Sequence, residues 1–254
     1  MRQELRSLPL KELSKSIVRR MSEPNFTRRW FVGAGLDIGG KPDPLSLYVE
    51  FFPLMTACRV WDWEDGDAQE LAGVAEDSLD FVHSSHCLEH LRDPKAGLAA
   101  WFRALRPGGF LVVTVPDEDL YEQGVFPPSG FNRDHKWTFT VNKARSWSDK
   151  SINLLDLLAE LGPAADIEKI ALLNATYRYA LPRFDQTLTP IGESGIEFVV
   201  RKRSGRELAA GGLVRETAQP APADRRHFNQ YKADHARMKA DAALKPPFED
   251  ENDL

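Results

Sequence analysis

Apolar residues Leu10, Leu13, Ile17, Val18 and Met21 recur at three- and four-residue intervals, which predicts an amphipathic helix over 9–21 with Pro9 in its first turn. Beyond it the pattern changes to short apolar runs bounded by turn residues. "FVGAGLDIG" reads as a first strand running into a loop, and "PLSLYVEFF" as a short helix capped by Asp43, with Pro44 at its first position. "ACRVWDW", "LDFVHSSH" and "FLVVTVP" read as further strands. Between the last two, "PKAGLAAWFRALRPGG" predicts a helix ending at Gly108 and Gly109. Strands alternating with helices predict an α/β domain of doubly wound, mostly parallel, Rossmann-like type. Past residue 150, "SINLLDLLAELG" is a predicted helix. "IEKIALLNATY" and "GIEFVVRKR" follow without a clear helix between them, so they are expected to form an antiparallel hairpin at one sheet edge.

The expected organisation is an N-terminal helical segment over 1–30, the α/β domain over 31–203, and a linker, C-terminal helix and acidic tail over 204–254. The C-terminal helix, 226–243, carries Phe228, Tyr231 and Met238 on one side, and "FEDENDL" has the composition of a disordered tail. Both terminal helices offer surfaces for self-association.

Composition narrows the partners. The chain of 254 residues is 42% hydrophobic, enough for one real core, and its net charge of −5 argues against a general nucleic-acid binder, which needs a basic surface to release counterions. Lys11, Lys15, Arg19 and Arg20 on the first helix read as a solvated face. Cys58 and Cys87 lack metal-type spacing and read as buried free thiols of a reducing compartment, so the expected location is the cytoplasm. No stretch approaches the roughly 18 apolar residues of a membrane span, so no membrane insertion is expected.

The candidate chemistry lies at the ends of the strands. In "GLDIGGKPDP" an acid and two glycines follow the first strand, and Asp62 ends the second, roughly 20 residues on, where doubly wound domains place a ribose-binding acid. Asp67 follows in "DGDAQ". With "GDAQELAG", "DSLDFVHSSHCLEHLRDP" and "FRALRPGGFLVVTVPD", the chain from about Phe31 to Pro116 resembles the class I methyltransferases that use S-adenosylmethionine, particularly their small-molecule subgroup. The resemblance implies that Asp37 orients the methionine amino group, that Gly39 and Gly40 admit the cofactor to the backbone, and that Asp62, with Glu64 as substitute, binds the ribose. It further implies that Asp67 and the Ala68 amide read adenine, and that Ser84, Ser85 and His86 lie beside the sulfonium. Lys41 and Asp43 match no glycine of the family pattern; Lys41 is expected in solvent or near the methionine carboxylate, and Asp43 at the cap of the next helix. Between Asp62 and Asp67 the chain is too short for the helix and strand of typical relatives.

Methyl transfer is an in-line displacement that needs a base only when the acceptor carries a proton. His135, with Asp134 beside it to hold its tautomer, is the candidate base, and His86 a second contact. His90 reads as structural. His83, His86 and His90 do not form a metal-type set, so no metal is expected. Asp117, Glu118 and Asp119 read as a solvated turn with one member reaching substrate, and Trp137 and Trp147 as stacking surfaces for a sugar or ring. The expected function is methylation of a small polar metabolite, at an oxygen of a sugar or related hydroxyl compound. Two other readings stand beside it: a non-catalytic partner subunit, and a methyltransferase for protein or nucleic acid.

Overall fold

The computed structural model describes residues 12–214 and 222–244, which fall into two compact units, 1–212 and 213–254. The first unit opens with α1, Glu12–Met21, followed by β1, Gly33–Ile38, and β2, Met55–Trp61. Then come β3, Leu79–Ser85, α2, Pro94–Ala104, and β4, Leu105–Pro116. Two three-residue strands, β5 (Thr138–Thr140) and β6 (Ser151–Asn153), pair with each other, and α3, Leu154–Ala159, follows. The unit closes with β7, Ala165–Leu173, β8, Gly195–Lys202, and α4, Gly205–Ala210. The described residues of the second unit include the helix α5, Pro222–Leu244, on which Tyr231 and Met238 are exposed; the Phe228 side chain, Pro9 and the acidic tail lie outside the description.

The six-stranded sheet runs β2-β1-β3-β4-β8-β7, parallel through β4, with β8 antiparallel to both its neighbours. The expected doubly wound sheet with its edge hairpin is therefore present. Residues 62–78 form only turns, so β2 is the edge strand, as the short spacing after Asp62 implied.

Alternation along β4 shows why the sheet is covered on both faces. Leu111, Val113 and Val115 join a core with Trp101, Leu154 and Leu158, while Phe110 and Val112 join Leu13, Ile17, Phe26, Phe31 and Phe81 on the other side. The helix before β4 ends four residues earlier than its glycines suggested. Pro107 disfavours helical backbone at Arg106, and Leu105 already pairs with Leu79 on β3. At the other end of α2, Asp93 accepts hydrogen bonds from the amides of Lys95 (3.0 Å) and Ala96 (3.1 Å). Asp93→Ala should therefore cost about 1 kcal/mol in a urea titration, and an unchanged midpoint would show that this cap contributes nothing.

The helix α1 differs from expectation in a way that reaches the site. Arg19 and Arg20 are not a solvated face: Arg20 is fully buried, its Nε donating to Glu197 on β8 at 3.0 Å, and Arg19 binds Glu197 and Glu193. Arg20 Nη1 also meets His83 Nε2 at 3.1 Å, and His83 Nδ1 meets Asp37 Oδ1 at 2.6 Å. A carboxylate can only accept and a guanidinium only donate, so His83 is neutral with its proton on Nδ1. Burial holds its pKa below the ordinary value in agreement. One buried polar chain thus ties α1 through β8 and β3 to the tip of β1.

Candidate functional site

That chain ends at the glycine loop. Asp37 Oδ2 accepts from the amide of Leu45 at 2.7 Å, so Asp37, not Asp43, caps the short 3-10 helix over Leu45–Phe51. Asp43 turns instead to α1, where it accepts from Ser14 N (2.9 Å) and Ser14 Oγ (2.7 Å), and from Tyr48 Oη (2.5 Å). Gly39 has φ of +69°, and a Cβ there would lie 2.9 Å from that of Cys87; one on Gly40 would lie 2.4 Å from Asp37 Oδ2. Glycine is needed at both positions for the loop to close on its own neighbours. Lys41 Nζ pairs with Glu64 at 2.9 Å, both of them solvent-facing. Neither Lys41 nor Asp43 fills the space beyond the strands.

Two cavities open there, past the carboxyl ends of the parallel strands, where such sheets bind ligands. The larger, about 680 Å³, is lined by Asp62, Trp63, Asp67 and Ala68, with Trp61 and Arg92. Glu64 does not line it, so of Asp62 and Glu64 it is Asp62 that faces this space. Asp62 accepts from the amides of Lys41 (3.1 Å) and Trp63 (2.9 Å), which fixes its carboxylate. Asp67 is bound by Arg92 at 2.9 Å and by the Gln69 amide. The smaller cavity, about 380 Å³, is lined by Asp37, Ser85, Glu89, Tyr121, Asn132 and His135, among others. Gly39, Lys41, His86 and His90 line both, so they form the join.

Ser84 lines neither cavity: it is fully buried, and its hydroxyl donates to the Ile38 carbonyl at 3.0 Å. A side chain at this position of β3 faces into the sheet's core while Ser85 points to the opening. His90, expected to be structural, stands at the join. His86 sits there with φ of +55°, a left-handed conformation that a non-glycine residue adopts at some cost and that clusters at functional sites.

His135 reaches the cavity, but Asp134 is not its partner. His135 Nδ1 meets Glu122 Oε1 at 2.6 Å, whereas Asp134 Oδ2 lies 3.0 Å from His90 Nδ1. Sequence neighbours on a turn point in different directions, and the true partner comes from thirteen residues upstream. The Asp117 to Asp119 stretch is likewise not a solvated turn. Glu118 is fully buried and accepts from Lys143, Ser146, Thr138 and Ser151, which binds the segment after β4 to the β5–β6 pair. Asp117 caps the next turn, and burial pushes its carboxyl up to about 6. Trp137 donates to the Leu91 carbonyl and Trp147 to Asp119, and neither lines the two cavities. The tryptophans that do line the larger cavity are the buried Trp61 and Trp63, the latter 92% exposed, whose signal was its place directly after Asp62. Cys58 and Cys87 are free thiols; burial raises the pKa of the first and pushes that of Cys87 up to about 12. Among the described residues no helix is long and apolar enough to cross a membrane.

A family model described as a methyltransferase domain matches residues 13–162. No curated protein matches the sequence. Among solved structures, the chain is similar to an S-adenosylmethionine-dependent methyltransferase from Archaeoglobus fulgidus at 18% identity and TM-score 0.47, with 75% of this chain and 94% of that one covered. A methyltransferase of the same cofactor dependence from Clostridium acetobutylicum is similar at 12% identity and TM-score 0.44, with coverage of 78% and 94%. The plantazolicin methyltransferase in complex with S-adenosylhomocysteine is similar at 12% identity and TM-score 0.47, with coverage of 78% and 86%.

Proposed function

Because the chain belongs to the methyltransferase-domain family and is an S-adenosylmethionine-dependent enzyme, we propose that it methylates a hydroxyl oxygen of a small polar metabolite, of the sugar type, held in the smaller cavity. The observation that carries this reading is the join itself: a nucleoside-sized space ending in an acid meets a polar space ringed by imidazoles, with only Gly39, Lys41, His86 and His90 between them.

The larger cavity fits the cofactor by volume, within the roughly 300–1,000 Å³ of small-molecule sites. Asp62 accepts the ribose hydroxyls, Asp67 and the Ala68 amide meet the adenine edge, and Trp63 covers its ring. Gly39 and Gly40 bring main-chain atoms to the methionine portion, and Ser85 and His86 stand at its sulfonium end. Asp37 acts as a positioning residue for this loop, because its oxygens hold the Leu45 amide and the His83 ring. The bound cofactor supplies a methyl group already activated on sulfonium, so the protein's task is alignment and removal of the acceptor's proton. His86 at the join and His135, whose ring is held at Nδ1 by Glu122, are the imidazoles placed to take it. Arg19 and Arg20 are committed to Glu193 and Glu197, which removes them from any phosphate-binding surface and favours a small acceptor over nucleic acid.

Asp62→Ala should weaken S-adenosylhomocysteine binding by about 10–100-fold, the worth of one or two hydrogen bonds to a charged group. Unchanged affinity would remove Asp62 from the ribose site. The acceptor reading is tested by supplying labelled S-adenosylmethionine with a panel of hydroxylated metabolites, polyamines, protein and RNA. A methyl ether product supports it; label only on nitrogen, protein or RNA refutes it.

A further inference from the structure

At the floor of the smaller cavity, Glu89 is fully buried and neither of its carboxylate oxygens accepts a hydrogen bond. Three imidazoles crowd Oε1 without satisfying it: His86 Nδ1 at 3.4 Å, His135 Nε2 at 3.9 Å and His90 Nε2 at 4.0 Å. A buried carboxylate with no donor is expensive, so its surroundings should contain a cation that compensates it.

The two outer imidazoles are prepared in the same way. His90 Nδ1 lies 3.2 Å from the Asp134 carbonyl and 3.0 Å from Asp134 Oδ2, and His135 Nδ1 lies 2.6 Å from Glu122 Oε1. Each partner is an acceptor, so each ring donates from Nδ1, which leaves Nε2, 4.0 Å (His90) and 3.9 Å (His135) from Glu89 Oε1, as the nitrogen that can serve as a ligand. A carboxylate behind an imidazole whose other nitrogen is bare is the arrangement that orients metal-binding histidines. Ligand atoms of Glu89, His90 and His135 all lie within 4.8 Å of one another. An ion centred among them would sit at most about 2.8 Å from each, so inward shifts of no more than about 0.6–0.8 Å reach the 2.0–2.2 Å of nitrogen and oxygen ligation.

We propose that Glu89, His90 and His135 bind a divalent first-row transition-metal ion, with positions left open toward the smaller cavity for oxygen ligands. Two imidazoles and one carboxylate with open positions suit such ions better than magnesium or calcium, which favour all-oxygen sets. Glu122 and Asp134 are positioning residues for the two histidines. The open positions would receive the acceptor hydroxyl; that part rests on the acceptor reading above, and it leaves His86 as the imidazole that takes the proton. His83, grouped by sequence with His86 and His90, takes no part, since both its nitrogens are spent on Asp37 and Arg20.

The test uses the full chain, freed of metal by a chelator and then dialysed, and titrated with Co²⁺ alone. One equivalent should bind with visible d–d absorption, and Zn²⁺ should displace it. Glu89→Gln and His135→Ala should abolish the spectrum, and Glu122→Gln should weaken binding by about 10–100-fold. S-adenosylhomocysteine affinity, measured on the same samples, should survive in Glu122→Gln, which shows that the fold persists. Absence of stoichiometric binding to the wild-type chain, or binding unchanged in Glu89→Gln, overturns the proposal. Loss of S-adenosylhomocysteine binding with the Co²⁺ spectrum intact counts against the cofactor groove, not against the ion.

Discussion

Glu197→Gln is expected to destabilise the chain by about 3–5 kcal/mol at pH 7, measured by urea unfolding, because it leaves the buried Arg20 guanidinium without its carboxylate. Arg19 and Lys169 also meet Glu197, but both are partly exposed and can turn to water; Arg20 cannot. The effect carries a pH signature. Burial alone would raise the Glu197 carboxyl, yet Arg20 and Arg19 outweigh it and hold it down at about 2, against 4.5 for a free glutamate. A group with a depressed folded value contributes its stability above the unfolded value and loses it as pH falls through the folded one. About 3 kcal/mol of the wild-type advantage should therefore be present above pH 4.5 and fade toward pH 2, so that the two unfolding curves converge in acid. A gap constant over that range would mean that the charge on Glu197 is not what stabilises the fold.

Gly40→Val should have the largest effect on ligand binding, reducing S-adenosylhomocysteine affinity by about 100-fold or more, the equivalent of about 3 kcal/mol or more. Its Cβ would fall 2.4 Å from Asp37 Oδ2 and 3.3 Å from the Pro44 Cβ, so Asp37 must move. Moving it releases the Leu45 amide and the His83 imidazole together, and the turn that separates the two cavities loses its anchor. Full affinity in a folded Gly40→Val chain, read by calorimetry with circular dichroism as the folding control, would show that the loop does not contact the ligand.

The doubly wound sheet was readable because its strands carry continuous apolar runs, and continuous runs mean burial on both faces, as Phe110 to Val115 on β4 illustrate. The reversed β8 was readable because no crossover helix separates it from β7, only a three-residue 3-10 turn at Gln186–Leu188. The place of Asp62 at the end of β2 was readable from its spacing, and it lines the larger cavity; its contact with a ribose is the proposal made above. What could not be read was pairing between distant charges. Arg20 on α1 looked like surface until Glu197, 177 residues away, met it across the sheet. Glu122 and Glu89 carried no local mark that would set them apart from other acids of the chain, because their roles come from His135 being folded back over them. His135 and Asp134 show the converse error, since adjacency in sequence suggested a pair that turn geometry separates.

The most direct measurement is isothermal titration of the full chain with S-adenosylhomocysteine, followed by the same titration on Asp62→Ala. Saturable one-to-one binding, tighter than about 1 mM and weakened by the substitution, is expected if main-chain atoms at the end of β1 and the carboxylate at the end of β2 hold the nucleoside. No heat of binding from a chain that remains folded would contradict a cofactor site at the ends of these strands.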